Sequence, residues 1–405
     1  MRVKHIAISL ICAVSIMMAG CSDVDSKSVI SGTENDKLAQ SQEANENSDE
    51  VPNEDKSLNE KADGNAGSKT DNNTVKKADK SDNEEASEPE TITNPVQKYS
   101  KLSTWVAYWD YADAIEQINA LGDELDTIVC FEALYGSDGR TILHPEGCDE
   151  LLNILKTNYG NKKTIYLSYT NDFQNPDGSY TQKSVDLLRA AFSSEAAIEQ
   201  YSSDMVKDAK ASGVDGLELD YENMRKDDSL FTGYALFVNS LAKKCNEAGL
   251  SFRVATEYQT GIKCQLTDGP EYVVMCYNLY GYGTEPGPKA NAEYLVSCFN
   301  NFAYLSHVNF AFSLGGFKWN NGNVSAVTEN EALALLAASG AAIEYEPSGG
   351  AHFAYTEADG SISEVYYADA NTIVMWKNLL RSQGADNFSL WRMGGNNIES
   401  LRGMK

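Results

Sequence analysis

The chain contains no aromatic residue between positions 22 and 98. That stretch has nineteen acidic and nine basic residues, a formal charge of −10, and is rich in Asn and Ser. A segment of this composition buries too little apolar surface to offset the entropy lost on ordering. We therefore expect residues 22–98 to be a disordered acidic linker that tethers a folded domain.

Closely spaced cysteine pairs are also missing, and the chain's four histidines are scattered. Zinc sites need such clusters, so we expect no metal and no cofactor. The spacing leaves disulfide pairing open. Cys130 and Cys276 lie in apolar runs and are expected to be buried thiols. The other cysteines beyond residue 98 are Cys148, Cys245, Cys264 and Cys298.

Positive charge is scarce in the expected folded part of the chain. Residues 99–405 contain 22 basic and 40 acidic residues, a formal charge of −18. This balance argues against nucleic acid and anionic membrane surfaces as partners and is compatible with a neutral polysaccharide. A domain of this length is large for a simple sandwich and suits one α/β barrel.

Near the N-terminus, an apolar run covers residues 6–18 and is too short to cross a membrane as a mature helix. Arg2 and Lys4 precede it, which is the layout of a signal peptide over residues 1–21. The small residues before Cys21 resemble a bacterial lipobox. This resemblance implies export, lipidation of Cys21 and anchoring on the outer face of the bacterial cell membrane. An ordinary secretory peptide is the alternative.

The most informative segment of the chain alternates apolar and acidic residues. Leu217, Leu219 and Tyr221 alternate with Glu218, Asp220 and Glu222. Alternation with period two predicts a strand with three carboxylates on one face. Neighbouring carboxylates repel and burial penalises their charge, so one tends to hold a proton near neutral pH. A protonated carboxyl beside an ionised one is the equipment of glycoside hydrolysis, although an exposed edge strand or a cation site would show the same pattern.

Eight short apolar runs alternate with helical patterns along residues 99–405. The predicted strands are 103–109, 126–132, 164–168, 216–222, 251–257, 272–277, 308–314 and 387–391. Eight such units in one domain predict an α/β fold of the (β/α)8 TIM-barrel class. The long gap between strands seven and eight predicts a small α+β insertion at about residues 320–368.

Several strand ends resemble motifs of glycoside hydrolase family 18, the chitinase family. Asp215-Gly-Leu-Glu-Leu-Asp-Tyr-Glu222 resembles the Asp-x-x-Asp-x-Asp-x-Glu signature, with Glu218 where chitinases have Asp. Met275-Cys-Tyr-Asn278 resembles Met-x-Tyr-Asp, with Asn278 in place of Asp. Trp391-Arg392 is similar to a Trp-Arg motif of the spore-germination enzymes, the peptidoglycan-cleaving N-acetylglucosaminidase branch.

The resemblance implies retaining, substrate-assisted cleavage of β-1,4 linkages that follow N-acetylglucosamine. The acetamido oxygen of the substrate would be the nucleophile, an exception among glycosidases. Glu222 would be the general acid and then the base. Asp220 would orient the acetamido group, and Tyr277 would donate a hydrogen bond to its oxygen.

The resemblance and the strand ends also suggest substrate-binding residues. Glu218 would modulate Asp220, and Trp391 would form the floor under a sugar ring. Asn278, Tyr108 and Glu257 complete this predicted set. The expected partner is a polysaccharide containing N-acetylglucosamine, with peptidoglycan favoured, and the expected state is a monomer. A chitin- or N-glycan-directed hydrolase and a non-catalytic glycan-binding barrel are the alternatives.

Overall fold

The computed structural model describes residues 97–404. The predicted signal peptide, Cys21 and nearly all of the predicted linker lie outside the described residues. Among the helices of residues 97–404, none is long and apolar enough to cross a membrane.

Strands and helices alternate along most of residues 97–404. The strands are β1 Leu102–Ala107, β2 Thr127–Tyr135, β3 Ile142–Leu143, β4 Thr164–Gln174, β5 Tyr180–Thr181, β6 Gly216–Asp220, β7 Ser251–Glu257, β8 Glu271–Met275, β9 Val308–Ser313, β10 Gly315–Asn320, β11 Asn323–Val327, β12 Glu344–Tyr345, β13 Ala351–Thr356, β14 Ile362–Ala368 and β15 Phe388–Met393. The α-helices are α1 Ala114–Leu121, α2 Cys148–Tyr159, α3 Val185–Ala191, α4 Glu195–Ser212, α5 Leu230–Ala248, α6 Thr260–Lys263, α7 Ala292–Phe302, α8 Glu329–Ser339, α9 Ala370–Gln383 and α10 Ile398–Gly403.

Eight parallel strands close into a barrel. Their order is β1-β2-β4-β6-β7-β8-β9-β15, and β15 pairs back to β1. These are the eight strands predicted from the sequence, so the (β/α)8 class is confirmed. The main difference is β4, which continues to Gln174 and pairs with the short strand β5 beyond the predicted end at residue 168.

Apolar residues pack in two layers, one outside the barrel and one inside it. Leu217, Leu219 and Tyr221 of the acidic segment belong to the outer layer, between the strands and the helices. The opposite face of β6 therefore points into the barrel, as the alternation predicts. An aromatic cluster fills part of the interior; it includes Trp105, Phe131, Tyr166, Tyr277 and Trp391. Both predicted buried thiols, Cys130 and Cys276, are buried.

The helix before β6 is fixed at both ends by its sequence. Ser194 caps α4, because its side chain accepts a hydrogen bond from the backbone N–H of Ala197 at 3.1 Å. Gly213 ends the helix with φ +67°, a left-handed conformation that favours glycine. Asp215 then accepts a hydrogen bond from the Ile165 N–H at 2.9 Å and joins the start of β6 to β4.

The insertion between the seventh and eighth barrel strands is a five-stranded antiparallel sheet with helix α8. Its strand order is β11-β10-β14-β13-β12. It begins at Gly315, slightly before the expected start, because residues 315–320 pair with β14 instead of forming a loop. Gly316 permits this pairing: a Cβ there would lie 1.8 Å from the carbonyl oxygen of Tyr366.

Candidate active site

The carboxyl end of β6 borders a small, partly open cavity of about 20 Å³. Asp220 and Glu222 both line it, so the structure brings the two predicted catalytic carboxyls together. The carboxyl ends of barrel strands are where this fold holds its functional sites. The rest of the lining is Phe131, Glu132, Thr170, Asn171, Asp172, Gln182 and Lys183.

Glu222 is fixed by hydrogen bonds to its backbone and by an ion pair to its side chain. Asn171 accepts a hydrogen bond from the Glu222 N–H at 2.9 Å and donates one to its carbonyl oxygen at 3.1 Å. The Lys183 ammonium lies 3.1 Å from Oε2 of Glu222, and both side chains are about nine-tenths buried. The carboxyl is thus oriented by a neighbouring strand and by one cation.

Lys183 lies on a backbone segment that is fixed by hydrogen bonds, and its side chain reaches the cavity. Its φ is +48°, a conformation that is uncommon for residues with a side chain. The Lys183 N–H donates to Asp172 at 2.8 Å, and the Asn223 side chain donates to the Lys183 carbonyl at 3.2 Å. These two hydrogen bonds stabilise the left-handed conformation and direct the ammonium toward Glu222.

Glu218 lies in a buried ionic network inside the barrel. Its two carboxyl oxygens accept hydrogen bonds from Trp105 Nε1 and Arg253 Nε, both at 2.6 Å. The Arg253 Nη1 lies 3.3 Å from Oε2 of Glu271. Glu218 is fully buried and is absent from the cavity lining. The side chain of Glu218 reaches Arg253 on the neighbouring strand, and its predicted role in substrate binding stays a prediction.

Three further carboxyls near Glu222 retain protons more readily than usual. Burial, reinforced by Asp172 and Asp220, raises the pKa of Glu132 well above its ordinary value. Burial also raises the pKa of Asp172 to about 7. The pKa of Glu257 is raised by burial and by the nearby charge of Glu222. All three carboxyls therefore retain their protons to a higher pH than ordinary carboxyls do.

Tyr277 and Trp391 lie in the aromatic cluster of the barrel interior, and neither is among the residues lining the cavity. Trp391 packs edge-on against Phe131, with ring centroids 5.0 Å apart. Phe131 belongs both to this cluster and to the cavity wall, so the cluster adjoins the carboxyls. The roles of Tyr277 and Trp391 in substrate contact stay predictions.

The remaining predicted binding residues are spread around the barrel mouth. Asn278 is half-buried and follows β8. Tyr108 is buried and packs edge-on against Trp109, with ring centroids 4.9 Å apart. Glu257 accepts a hydrogen bond from the Asn223 N–H at 3.1 Å and lies 3.4 Å from Arg225 Nε. The structure places none of the three in the cavity lining.

Sequence reasoning missed Asp172 and Lys183. The polar run Thr170-Asn-Asp172 indicated the end of a strand, whereas β4 continues through it. Lys183 follows the short strand β5 in a region where no motif marked it. An available signal was the run of polar residues Thr170-Asn-Asp172 directly after an apolar strand.

Comparison with known proteins gives likeness in structure alone, since no protein-family model and no curated protein matches the sequence. The structure is similar to a chitinase from Chromobacterium violaceum, with a TM-score of 0.64, 16% identity, and coverage of 75% of this chain and 98% of that one. It is also similar to the spore cortex-lytic enzyme SleL of Bacillus cereus, with a TM-score of 0.62, 18% identity, and coverage of 76% and 74%.

A third similar structure is a class V chitinase from Nicotiana tobaccum in complex with NAG4. It has a TM-score of 0.60, 13% identity, and coverage of 76% of this chain and 98% of that one. At these identities the likeness shows the fold. The described chain is a (β/α)8 barrel of the type found in chitinases and in a spore cortex-lytic enzyme.

Proposed function

We propose that the protein is a glycoside hydrolase that cleaves β-1,4 linkages following N-acetylglucosamine. The observation that carries this proposal is the pairing of Asp220 and Glu222 in one cavity at the carboxyl end of β6. The fold of the similar chitinases supports it, as does the resemblance of residues 215–222 to the family 18 signature.

In the proposed mechanism the substrate supplies its own nucleophile. Glu222 protonates the oxygen of the leaving sugar while the acetamido oxygen attacks the anomeric carbon and forms an oxazolinium ion. Asp220 orients the acetamido N–H and stabilises the positive charge on the ring. Glu222 then takes a proton from the water that opens the ion, and the product keeps the β configuration.

Lys183 sets a condition on this mechanism. A general acid must present its carboxyl to the leaving oxygen, whereas the Lys183 ammonium lies 3.1 Å from Oε2 of Glu222. Entry of a sugar into the cavity therefore has to loosen the contact between Lys183 and Glu222.

Peptidoglycan is the proposed substrate. The spore cortex-lytic enzyme among the similar structures and the Trp391-Arg392 motif support this choice. Lipidation of Cys21, which we propose from the sequence alone, would hold the enzyme on the outer face of the membrane close to the wall. C21S is expected to release the protein from the membrane fraction or to leave it unprocessed.

Digestion of purified peptidoglycan and of chitin oligosaccharides, with products read by mass spectrometry, tests the substrate. We expect fragments that end in reducing N-acetylglucosamine, and NMR directly after cleavage should show the β-anomer. An inverted product would contradict substrate assistance. A protein that binds these glycans and cleaves none would instead be a glycan-binding barrel.

A further inference from the structure

The cavity at the carboxyl end of β6 has to change shape before a sugar can be cleaved there. Its volume of about 20 Å³ has room for about one water molecule and excludes a sugar ring. Among its lining residues, Lys183 has the longest flexible side chain, a run of methylene groups that ends in an ammonium. This ammonium lies 3.1 Å from Oε2 of Glu222, in a contact that is about nine-tenths buried. Movement of the Lys183 side chain would therefore expose the Glu222 carboxyl.

The backbone of Lys183 is fixed, whereas its side chain can rotate. The Lys183 N–H donates to Asp172 at 2.8 Å, and the Lys183 carbonyl accepts from the Asn223 side chain at 3.2 Å. Rotation about the side-chain bonds can move the ammonium away from Glu222 without rearranging the main chain. The moved ammonium then needs another anion, because separating a buried charge from its partner is strongly destabilising.

The leaving sugar of the proposed substrate supplies a suitable anion. Glu222 protonates the oxygen of that sugar, so this oxygen must come close to the Glu222 carboxyl and hence to the Lys183 ammonium. In peptidoglycan the leaving sugar is N-acetylmuramic acid, and the ring carbon next to the leaving oxygen carries a lactyl ether. The lactyl group ends in a carboxylate wherever the stem peptide has been removed. Chitin oligosaccharides have only a hydroxyl at that ring carbon.

We propose that Lys183 is a specificity-determining residue that binds the free lactyl carboxylate of the leaving sugar. This inference rests on the proposed function and narrows its substrate to peptidoglycan strands without stem peptides. The ammonium exchanges Glu222 for the lactyl carboxylate, so its charge stays paired while the Glu222 carboxyl becomes available to the leaving oxygen. A neutral leaving sugar offers the ammonium no such partner and is disfavoured. A hydrolase that cleaves the amide between the lactyl group and the stem peptide must therefore act first.

The charges around the cavity are compatible with an incoming carboxylate. Among the described residues that line the cavity, Lys183 is the basic one. Burial raises the pKa of Asp172 to about 7 and also raises the pKa of Glu257. Both groups therefore keep their protons to a higher pH than ordinary carboxyls do, and they repel an approaching anion less.

The test compares kcat/KM of the full chain and its variants on three soluble tetrasaccharides. The first alternates N-acetylglucosamine with N-acetylmuramic acid and has free lactyl carboxylates, the second is the same glycan with these groups converted to amides, and the third contains N-acetylglucosamine alone. Wild type should prefer the first by about tenfold or more, because a site built for a polar partner rejects an analogue that lacks it.

The variants assign this preference to one side chain. K183M should lose the preference, because its kcat/KM on the free carboxylate falls by about tenfold or more while its value on the amidated glycan does not fall. K183R keeps the cation and should keep the preference. K243M removes an exposed helical lysine and should match wild type on all three glycans.

A merely structural role for Lys183 would lower kcat/KM on all three glycans and leave their ratios unchanged. Equal wild-type values on the free and amidated glycans, or a folded K183M that keeps the preference, would overturn the inference. If K183M does not fold, K183R decides: a retained preference supports the inference, and a lost preference overturns it. Cleavage of all three glycans at equal rates would overturn the inference and leave the proposed function intact, whereas cleavage of none would contradict the proposed function itself.

Discussion

At the scale of single residues, buried carboxylates in the barrel interior are paired with a buried arginine. Arg253 is fully buried and contacts both Glu218 and Glu271. Buried ion pairs add little net stability, yet removing one partner leaves an uncompensated charge and costs about 3–5 kcal/mol. Around the cavity, burial raises the pKa of Glu132, Asp172 and Glu257 instead.

Asp172 makes stability depend on pH. Burial raises its pKa from 3.8 to about 7, so the folded protein holds a proton that the unfolded chain releases near pH 3.8. Its contribution to stability is present below pH 3.8 and is lost as pH rises through about 7. D172N removes this titration while keeping an acceptor for the Lys183 N–H.

We therefore expect D172N to gain stability relative to wild type between pH 4 and pH 8, by at most about 4 kcal/mol. Urea unfolding at pH 4, 6 and 8 measures the difference. A stability difference that is the same at all three values would contradict the assignment of this pKa.

At the scale of elements, His144 joins two helices on the outside of the barrel. It follows β3, and its ring nitrogens lie 2.6 Å from Asp149 of α2 and 3.0 Å from Asp208 of α4. The hydrogen bond with Asp208, followed by that with Asp149, raises the pKa of His144 to about 9. The protonated ring therefore connects α2 to α4 at neutral pH.

The stability that His144 contributes is present below pH 6.5 and is lost as pH rises through about 9. H144N should be less stable than wild type at pH 6 by roughly 1–2 kcal/mol after solvent screening, and the difference should shrink by pH 9.5. Chemical denaturation at the two pH values measures it, with H352Q in the insertion as the control. A deficit that persists at pH 9.5 would show that the ring acts through packing.

Regular elements could be predicted from the sequence, and long-range contacts could not. The alternation of residues 216–222 predicted the face that Asp220 presents to the barrel, because a strand has a fixed period of two. Lys183 was missed because its approach to Glu222 depends on a left-handed backbone residue and joins two positions that lie 39 apart in the sequence. The hairpin of β10 and β11 was missed because Gly315 and Gly316 indicate a loop unless their partner strand is known.

At the scale of the whole molecule, the first described residues close the N-terminal end of the barrel. The Gln97 side chain exchanges two hydrogen bonds with the backbone of Phe252, at 2.9 and 3.0 Å. Ser100 donates from its N–H to Glu271 at 2.8 Å and from its hydroxyl at 3.0 Å. The predicted boundary at residue 98 therefore lies close to residues that contribute to the folded domain.

A chain that begins at Asn94 should match the melting temperature of one that begins at Ser22, since it keeps all of these contacts. A chain that begins at Leu102 loses the Ser100 contacts to the buried Glu271. It should melt several degrees lower, because unpaired buried polar groups cost about 1–3 kcal/mol each. Calorimetry of the three proteins tests the boundary. A lower melting temperature for the Asn94 chain would show that part of the linker belongs to the fold.

The central claim is that Glu222 transfers the proton in glycoside cleavage. The direct measurement is kcat on a soluble N-acetylglucosamine oligosaccharide for wild type, E222Q and E247Q, with sugar binding measured in parallel. E247Q is the control, because Glu247 is an exposed helical residue. The account predicts that E222Q binds the sugar and loses at least about a hundredfold in kcat, while E247Q keeps wild-type activity. Near-wild-type kcat in E222Q would contradict it.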